Sequence, residues 1–371
     1  MPIAADLAPA VGAPGREPAW QQEPRDASKR RAADREFDLV GVGLVAAFAA
    51  WTVFVGLFTG GDPIPVLALV GAALVTFRVV RSFSVRKPWL APAAVIMAGA
   101  LLPLVPVGGT LATGQRFGPL GYANASALFY VVVAAAGGML AVKAEGPLMR
   151  LVGVLAVPAA AGIVAVSGSE AAVGLLLLLP VAAFARRPPA VRRFVLGGAI
   201  LVLGAVVTTV LLGMLHADPG RQTLEDLAGS ALTERRLDLW RDALEIASHA
   251  PATGVGPGEF RSHSPTSLRD QDAIAAHDEY LQVTAELGLP GLLLALALTL
   301  WAFGRVHRAG LDPAASFAGA ALTAVGIHAS VDYVLHAPAI LVAVVTLLGA
   351  VSASSLPAGP MPNLTGRRLR P

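Results

Sequence analysis

Ten runs of apolar residues, most of them close to twenty long, recur along this 371-residue chain. They fall at about 38–59, 63–80, 89–107, 120–142, 148–166, 171–185, 194–215, 288–304, 313–335 and 337–355. A helix needs roughly 20 apolar residues to cross a bilayer. Within the hydrocarbon, every backbone N–H and C=O must find its partner inside the protein. The repeated runs therefore point to an all-α fold, a polytopic membrane helix bundle of about ten transmembrane helices. Composition agrees, since only 14% of the residues are charged against about 25% in soluble domains. That excludes an ordinary cytosolic enzyme, a disordered chain and a nucleic-acid binder. The absence of cysteine excludes disulfide frameworks and thiol chemistry.

The distribution of Lys and Arg gives the spans a direction. With the N-terminus inside, 21 of the 28 basic residues fall on inside segments, among them Arg78, Arg81, Lys143, Arg192, Arg305 and Arg308. The short outside loops hold only Arg116, and the long polar stretch 216–287 holds the other six. Short inside loops carry the excess of positive charge in membrane proteins, so both termini are expected inside and the long stretch outside. The expected organisation is a disordered cytoplasmic tail (1–36), helices one to seven (37–215), a large extracytoplasmic helical loop (216–287), helices eight to ten (288–356) and a second cytoplasmic tail (357–371). Most of the polar oddities then collect on the outer face. Arg116 and Asn124 precede or open the fourth span, Ser169 and Glu170 lie between the fifth and sixth, and His328, Asp332 and His336 recur every four residues near the end of the ninth. That spacing predicts one helical stripe. Ionisable residues at membrane depth are costly and point to function, although Asp332 paired with a histidine could also serve helix packing alone.

The long loop has its own pattern. Residues 232–249 read as an amphipathic helix that sets Arg236 and Trp240 one turn apart, close enough for a guanidinium–indole contact. A Pro- and Gly-rich turn follows at 251–260, and a second helix starts near His277-Asp278-Glu279-Tyr280 and stops at Gly288-Leu289-Pro290-Gly291. His249 and His263 carry no such context and are expected to be structural.

His277-Asp278, nine residues, then Gly288-x-x-Gly291 resembles the loop signature of the O-antigen ligase family. Arg236-x-x-x-Trp240, Pro251 and Gly254-x-Gly256-x-x-x-Phe260 resemble the succession upstream of it. Gly121-x-x-Asn124-x-x-Ala127 and His328-x-x-x-Asp332 resemble the segments before and after, so the likeness covers roughly 116–340. Two positions depart from the family: Asp278 stands where Asn is usual, and Ser169-Glu170 where Ser-Arg is usual. Arg116 is the outer-face arginine available in place of the second.

The resemblance implies a GT-C-like membrane enzyme of the bacterial cytoplasmic (inner) membrane, with its site facing the periplasm. It implies inverting, metal-independent, cofactor-free transfer of an undecaprenyl-diphosphate-linked glycan to a sugar hydroxyl. The acceptor would be a lipid-A core sugar in a ligase or another lipid-linked repeat in a polymerase. His277 takes the position of the base and Arg236 a diphosphate-binding position. Arg116, Asn124, Trp240, Asp278, Glu279, Tyr280, Asp332 and His336 are the candidate substrate-binding residues. Elementary chemistry is compatible with these roles. A sugar hydroxyl needs a base that is neutral near pH 7, and a departing diphosphate needs guanidinium groups. A non-catalytic polysaccharide transporter or scaffold is the alternative of another class. No internal repeat supports it, and the charges gather at one face rather than at mid-membrane.

Overall fold

The computed structural model describes residues 19–104, 119–185, 187–216, 234–270 and 272–353. Before the polar stretch run α1 (Ala19–Thr59), α2 (Ile64–Ser84), α3 (Leu90–Leu101), α4 (Ala123–Lys143), α5 (Pro147–Val166), α6 (Glu170–Leu175), α7 (Leu178–Phe184) and α8 (Pro188–His216). Within it lie α9 (Glu234–His249), α10 (Phe260–His263) and α11 (Pro265–Arg269). After it come α12 (Glu279–Arg308), α13 (Ala315–Ala329) and α14 (Pro338–Ala353). No strand occurs among the described residues.

Each expected apolar run falls on helix. Six helices are long and apolar enough to cross a membrane: Ala32–Thr59 of α1, α2, α4, α5, Pro188–Leu215 of α8, and α12. Among the described residues the other four runs form shorter apolar helices, so six of the ten expected spans are met at full length. The structure changes three boundaries. Helix α1 begins at Ala19, well inside the segment read as a disordered tail. The sixth run is broken into α6 and α7, because Pro180 has no N–H to return to the Leu176 carbonyl; Leu179 donates to that carbonyl instead, at 3.0 Å. The ninth run leaves the helix at Ala329, six residues early.

Helix α4 is the centre of the bundle, buried at every residue from Ala125 to Leu140. It is packed by α3, α5, α13 and α14. The outer surfaces of α1, α5 and α8 leave Leu57, Phe58, Leu151, Leu196 and Ile200 exposed, an apolar rim of the kind that hydrocarbon covers. At the end of the bundle away from α9, charges tie α1 to α12. Arg305, fully buried, reaches Asp34 (3.4 Å) and Asp38 (3.2 Å), while Arg308 holds Asp34 at 2.8 Å.

Helix α12 is bent at Gly288, whose backbone (φ 68°, ψ −172°) lies in a region open essentially to glycine alone. The carbonyl freed at Leu287 accepts from the Trp51 indole at 2.8 Å, and the Leu289 N–H donates to Pro251 at 2.9 Å. The turn 251–260 wraps this bend. Val255 and Gly256 donate backbone N–H groups to the carbonyls of Ala285 and Glu286. The Gly258 and Phe260 N–H groups bond the Glu286 carboxylate at 3.0 and 3.3 Å. A Cβ at Gly288 would stand 2.6 Å from the Ala252 backbone. Gly288→Ala therefore costs about 2 kcal/mol or more, read as a lowered Tm of the purified protein. Gly204→Ala is the control, since nothing lies within 4 Å of its added methyl.

Candidate functional site

Helix α9 is amphipathic because it has to cover a small second core. Leu237, Leu239, Trp240, Ala243 and Ile246 pack with Phe260, Ala276, Leu281 and Ala285. Trp240 is completely buried there, and its indole N–H bonds the backbone carbonyl of His277 at 3.3 Å. The expected Arg236–Trp240 contact does not form, because the core claims the indole. Among the described residues the cation–π pair is Arg308 over Phe37.

The backbone around His277 is fixed from both sides. Asp278 caps α12, its Oδ1 accepting from the N–H groups of Tyr280 (2.8 Å) and Leu281 (2.9 Å). Gln282 reaches back to the Ala276 N–H at 2.7 Å. Between them His277 adopts φ 53°, the only positive φ of a non-glycine residue among those described. A left-handed backbone at a non-glycine residue is uncommon and persists where its surroundings impose it. Here it turns the imidazole toward Asp332.

Asp332 is the hub. Its carboxylate is almost fully buried, with 1% side-chain exposure. Oδ1 accepts from His277 Nδ1 at 2.9 Å and from the Tyr333 N–H at 2.8 Å. Oδ2 accepts from the Tyr122 hydroxyl at 2.5 Å, Asn124 Nδ2 at 2.6 Å and an Arg236 guanidinium nitrogen at 3.4 Å. Burial raises its pKa, but the His277 hydrogen bond, the Arg236 charge and the Tyr122 hydroxyl outweigh that and hold it down to about 2. The carboxylate is thus an anion at any physiological pH. Burial first, then the Asp332 charge and hydrogen bond, drive the Tyr122 hydroxyl upward, so it remains a donor. Aromatic rings enclose the group. Tyr333 stacks on Tyr122 (5.2 Å) and meets His277 (4.7 Å) and His336 (5.3 Å) edge-on.

Four separate parts of the sequence therefore meet at one carboxylate. Of the candidate residues, Asn124, Arg236, His277 and Asp332 are brought together directly. His336 joins through Tyr333 and is held by Glu279, whose Oε1 accepts from His336 Nδ1 at 3.2 Å and from the Leu335 N–H at 2.8 Å. Trp240 and Asp278 are fully buried and Tyr280 nearly so, so these three lie behind the site rather than on its surface. Arg116 lies outside the described residues. Glu170 opens α6 and is exposed, with Ser169 capping the helix; an acid in the first turn suits the positive end of the dipole. His249 and His263 are exposed; His249 bonds the Glu245 carbonyl of its own helix, and His263 the Glu259 carbonyl just before α10.

The stripe of His328, Asp332 and His336 does not exist as a helix face. Beyond Ala329 the chain turns, because the Tyr333 N–H bonds the Asp332 side chain, a local alternative to helix. His336 sits in a short 3₁₀ turn, Val334–His336. His328 stays in α13, buried, with neither ring nitrogen bonded to a described residue. The sequence reading missed Tyr122 and Tyr333. Both adjoin or lie between residues it named, which is the only signal they give. Among the described residues no three His, Asp or Glu side chains are grouped so as to hold a metal ion.

Burial pushes Asp278 up to about 7, against the hydrogen bonds from Leu281 and Tyr280. A carboxyl raised on folding remains protonated in the folded chain where the unfolded chain has already lost its proton. Stability therefore falls as pH rises from about 4 to about 7. Asn caps helices equally well and carries no charge, so Asp278→Asn should flatten that decline and raise Tm above wild type at pH 8. Thermal melts at pH 5 and pH 8 read both effects.

Apolar helices gathered around a polar centre at one end define a multi-pass, all-helical membrane protein. Residues 152–296 match the family model of the O-antigen ligase, rather less than half of the chain. The match runs from α5 into α12 and so includes Arg236 and His277, while Tyr122, Asn124 and Asp332 come from outside it. No curated protein matches the sequence. The family implies ligase- or polymerase-type activity on lipid-linked sugars in a membrane.

Proposed function

We propose that the chain transfers a glycan from a polyprenyl-diphosphate carrier to a sugar hydroxyl at the outer face of the cytoplasmic membrane. The observation that carries this reading is the Asp332 carboxylate, which holds the His277 imidazole by Nδ1 and anchors Arg236 by one nitrogen. Bound that way, Nδ1 keeps its proton and Nε2 is left with its lone pair, the tautomer a general base needs. His277 Nε2 takes the proton of the acceptor hydroxyl as its oxygen attacks the anomeric carbon. The bond from that carbon to the diphosphate breaks with inversion, and the polyprenyl diphosphate leaves with the electron pair. Arg236 meets the charge that develops on the leaving group. Asn124 and Tyr122 fix the carboxylate, and Trp240 and Asp278 fix the backbone of His277, so these four act by positioning. The base and the guanidinium supply the chemistry from protein groups alone.

The 21-to-1 bias of basic residues supports placing the polar centre outside. Reporter fusions at Arg192 and Gly220 should report opposite sides of the membrane, and like-sided signals would remove the topology on which the assignment rests. The activity is tested by supplying purified protein with a lipid-diphosphate-linked glycan and an acceptor, in the presence of a chelator. Arg236→Lys keeps a charge but loses the planar two-pronged grip on phosphate, and transfer should fall on the order of tenfold or more. Unchanged transfer would remove Arg236 from the donor site.

A further inference from the structure

A cavity of about 260 Å³ lies among α1, α2, α12, α13 and α14, with Tyr280 and Leu335, which adjoin the polar centre, in its wall. Its wall is almost wholly apolar, with Phe77, Leu298, Ala302, Leu322, Leu341 and Val344 among the residues that line it. Apart from the charged residues at one end, the polar groups in the wall are the Tyr280 and Thr299 hydroxyls. These face each other at 3.4 Å and so ask little of a ligand. The charged end differs, because Asp38, Arg78 and Arg81 line it. A half-open apolar groove of this size between membrane helices loses packing energy unless hydrocarbon fills it. An occupant is required that is hydrocarbon over most of its length and polar at one end only.

Charge decides what that end is. Asp34 and Asp38 are the anions of the cluster, and they face three cations, Arg81, Arg305 and Arg308. Arg78 adds a fourth; it is exposed at the mouth and forms no ion pair with a described residue. The neighbouring Arg35 and Glu36 on α1 are exposed and cancel. Among the described residues the mouth therefore carries two positive charges in excess, at the depth where a lipid headgroup meets the helix ends.

We propose that this cavity is a phospholipid site. One acyl chain of an anionic phospholipid from the leaflet opposite the polar centre fills the groove, and its phosphate lies on Arg78 and Arg81. That this leaflet is the cytoplasmic one rests on the topology proposed above; the site itself does not depend on glycan transfer. The bound lipid glues α1 and α2 to α12–α14, the helices on which Glu279, Asp332 and His336 are carried or joined.

Native mass spectrometry of the full chain, exchanged into detergent with phosphatidylglycerol or phosphatidylcholine, tests this. Wild type should retain one phosphatidylglycerol per chain after washing, and retain phosphatidylcholine at least tenfold less. Arg78→Gln, an exposed position that leaves the fold intact, should weaken phosphatidylglycerol retention about tenfold. Leu322→Trp, which fills the groove, should abolish it with Arg78 still present. His277→Ala should retain the lipid like wild type, so a failure of the catalytic reading leaves this result standing. Equal retention of the two phospholipids would reduce the site to annular lipid and overturn the proposal. So would retention undiminished in Arg78→Gln, or a polyprenyl phosphate that displaces phosphatidylglycerol one for one.

Discussion

His277→Ala is expected to reduce glycan transfer by on the order of 10²–10⁴, the usual cost of removing a general base, while the protein stays inserted and abundant. The size follows from the geometry. The imidazole is 15% exposed and tied by Nδ1 to a buried carboxylate, which leaves Nε2 as its basic atom. Substitution at this position also acts on the backbone, because φ is 53° and a left-handed alanine is strained by about 1–2 kcal/mol. Glycine removes that strain. His277→Gly should therefore fold at least as well as the alanine variant and be equally inactive. If His277 served only to shape the start of α12, glycine would restore transfer, and that outcome would end the catalytic assignment.

Asp332→Asn is the second large effect, expected at about 10² or more, as when a catalytic histidine is left in the wrong tautomer. Every group that faces this carboxylate is a donor: the Tyr122 hydroxyl, Asn124 Nδ2, Arg236, His277 Nδ1 and the Tyr333 N–H. An amide offers one oxygen and one NH₂. With the NH₂ toward His277, Nδ1 must become an acceptor, which places the proton on Nε2 and removes the base. Turned the other way, the NH₂ opposes Tyr122, Asn124 and Arg236, and Arg236 loses its counter-charge. Both arrangements cost transfer. Asp332→Asn should lower kcat far more than it raises KM, whereas a packing role alone would appear as lost protein with normal kinetics in the folded remainder.

The fold was legible to the extent that hydrocarbon dictates it. Apolar runs set the positions of α2, α4, α5, α8 and α12, and the amphipathic period gave α9 to within two residues. Its limits have local causes. Pro180 broke the sixth run by withdrawing one N–H. Asp332 ended the ninth by offering the backbone a carboxylate, which no hydropathy pattern records. At the site, Asn124, Arg236, His277 and Asp332 could be named because polar residues of odd kind stood at motif spacing. Their hub could not be identified. Spacing by four pointed to a histidine of the same stripe, His328 or His336, as the partner of Asp332, yet the partner is His277, 55 residues away in sequence. Trp240 read as a partner of Arg236 and a substrate-binding candidate because the two stand one helical turn apart, whereas the small core beneath α9 buries it. Tyr122 and Tyr333 carry no periodic signal, and only the folded geometry brings their rings onto His277 and Asp332.

The most direct measurement is single-turnover transfer from a lipid-diphosphate-linked glycan by wild type, His277→Ala, Asp332→Asn and the double variant, compared at equal folded protein. Groups that act as one unit lose their effect once rather than twice. The geometry predicts an active wild type, two deeply impaired single variants, and a double variant no slower than His277→Ala. Losses that multiply in the double variant, or full transfer by His277→Ala, would contradict a base at His277 oriented by Asp332.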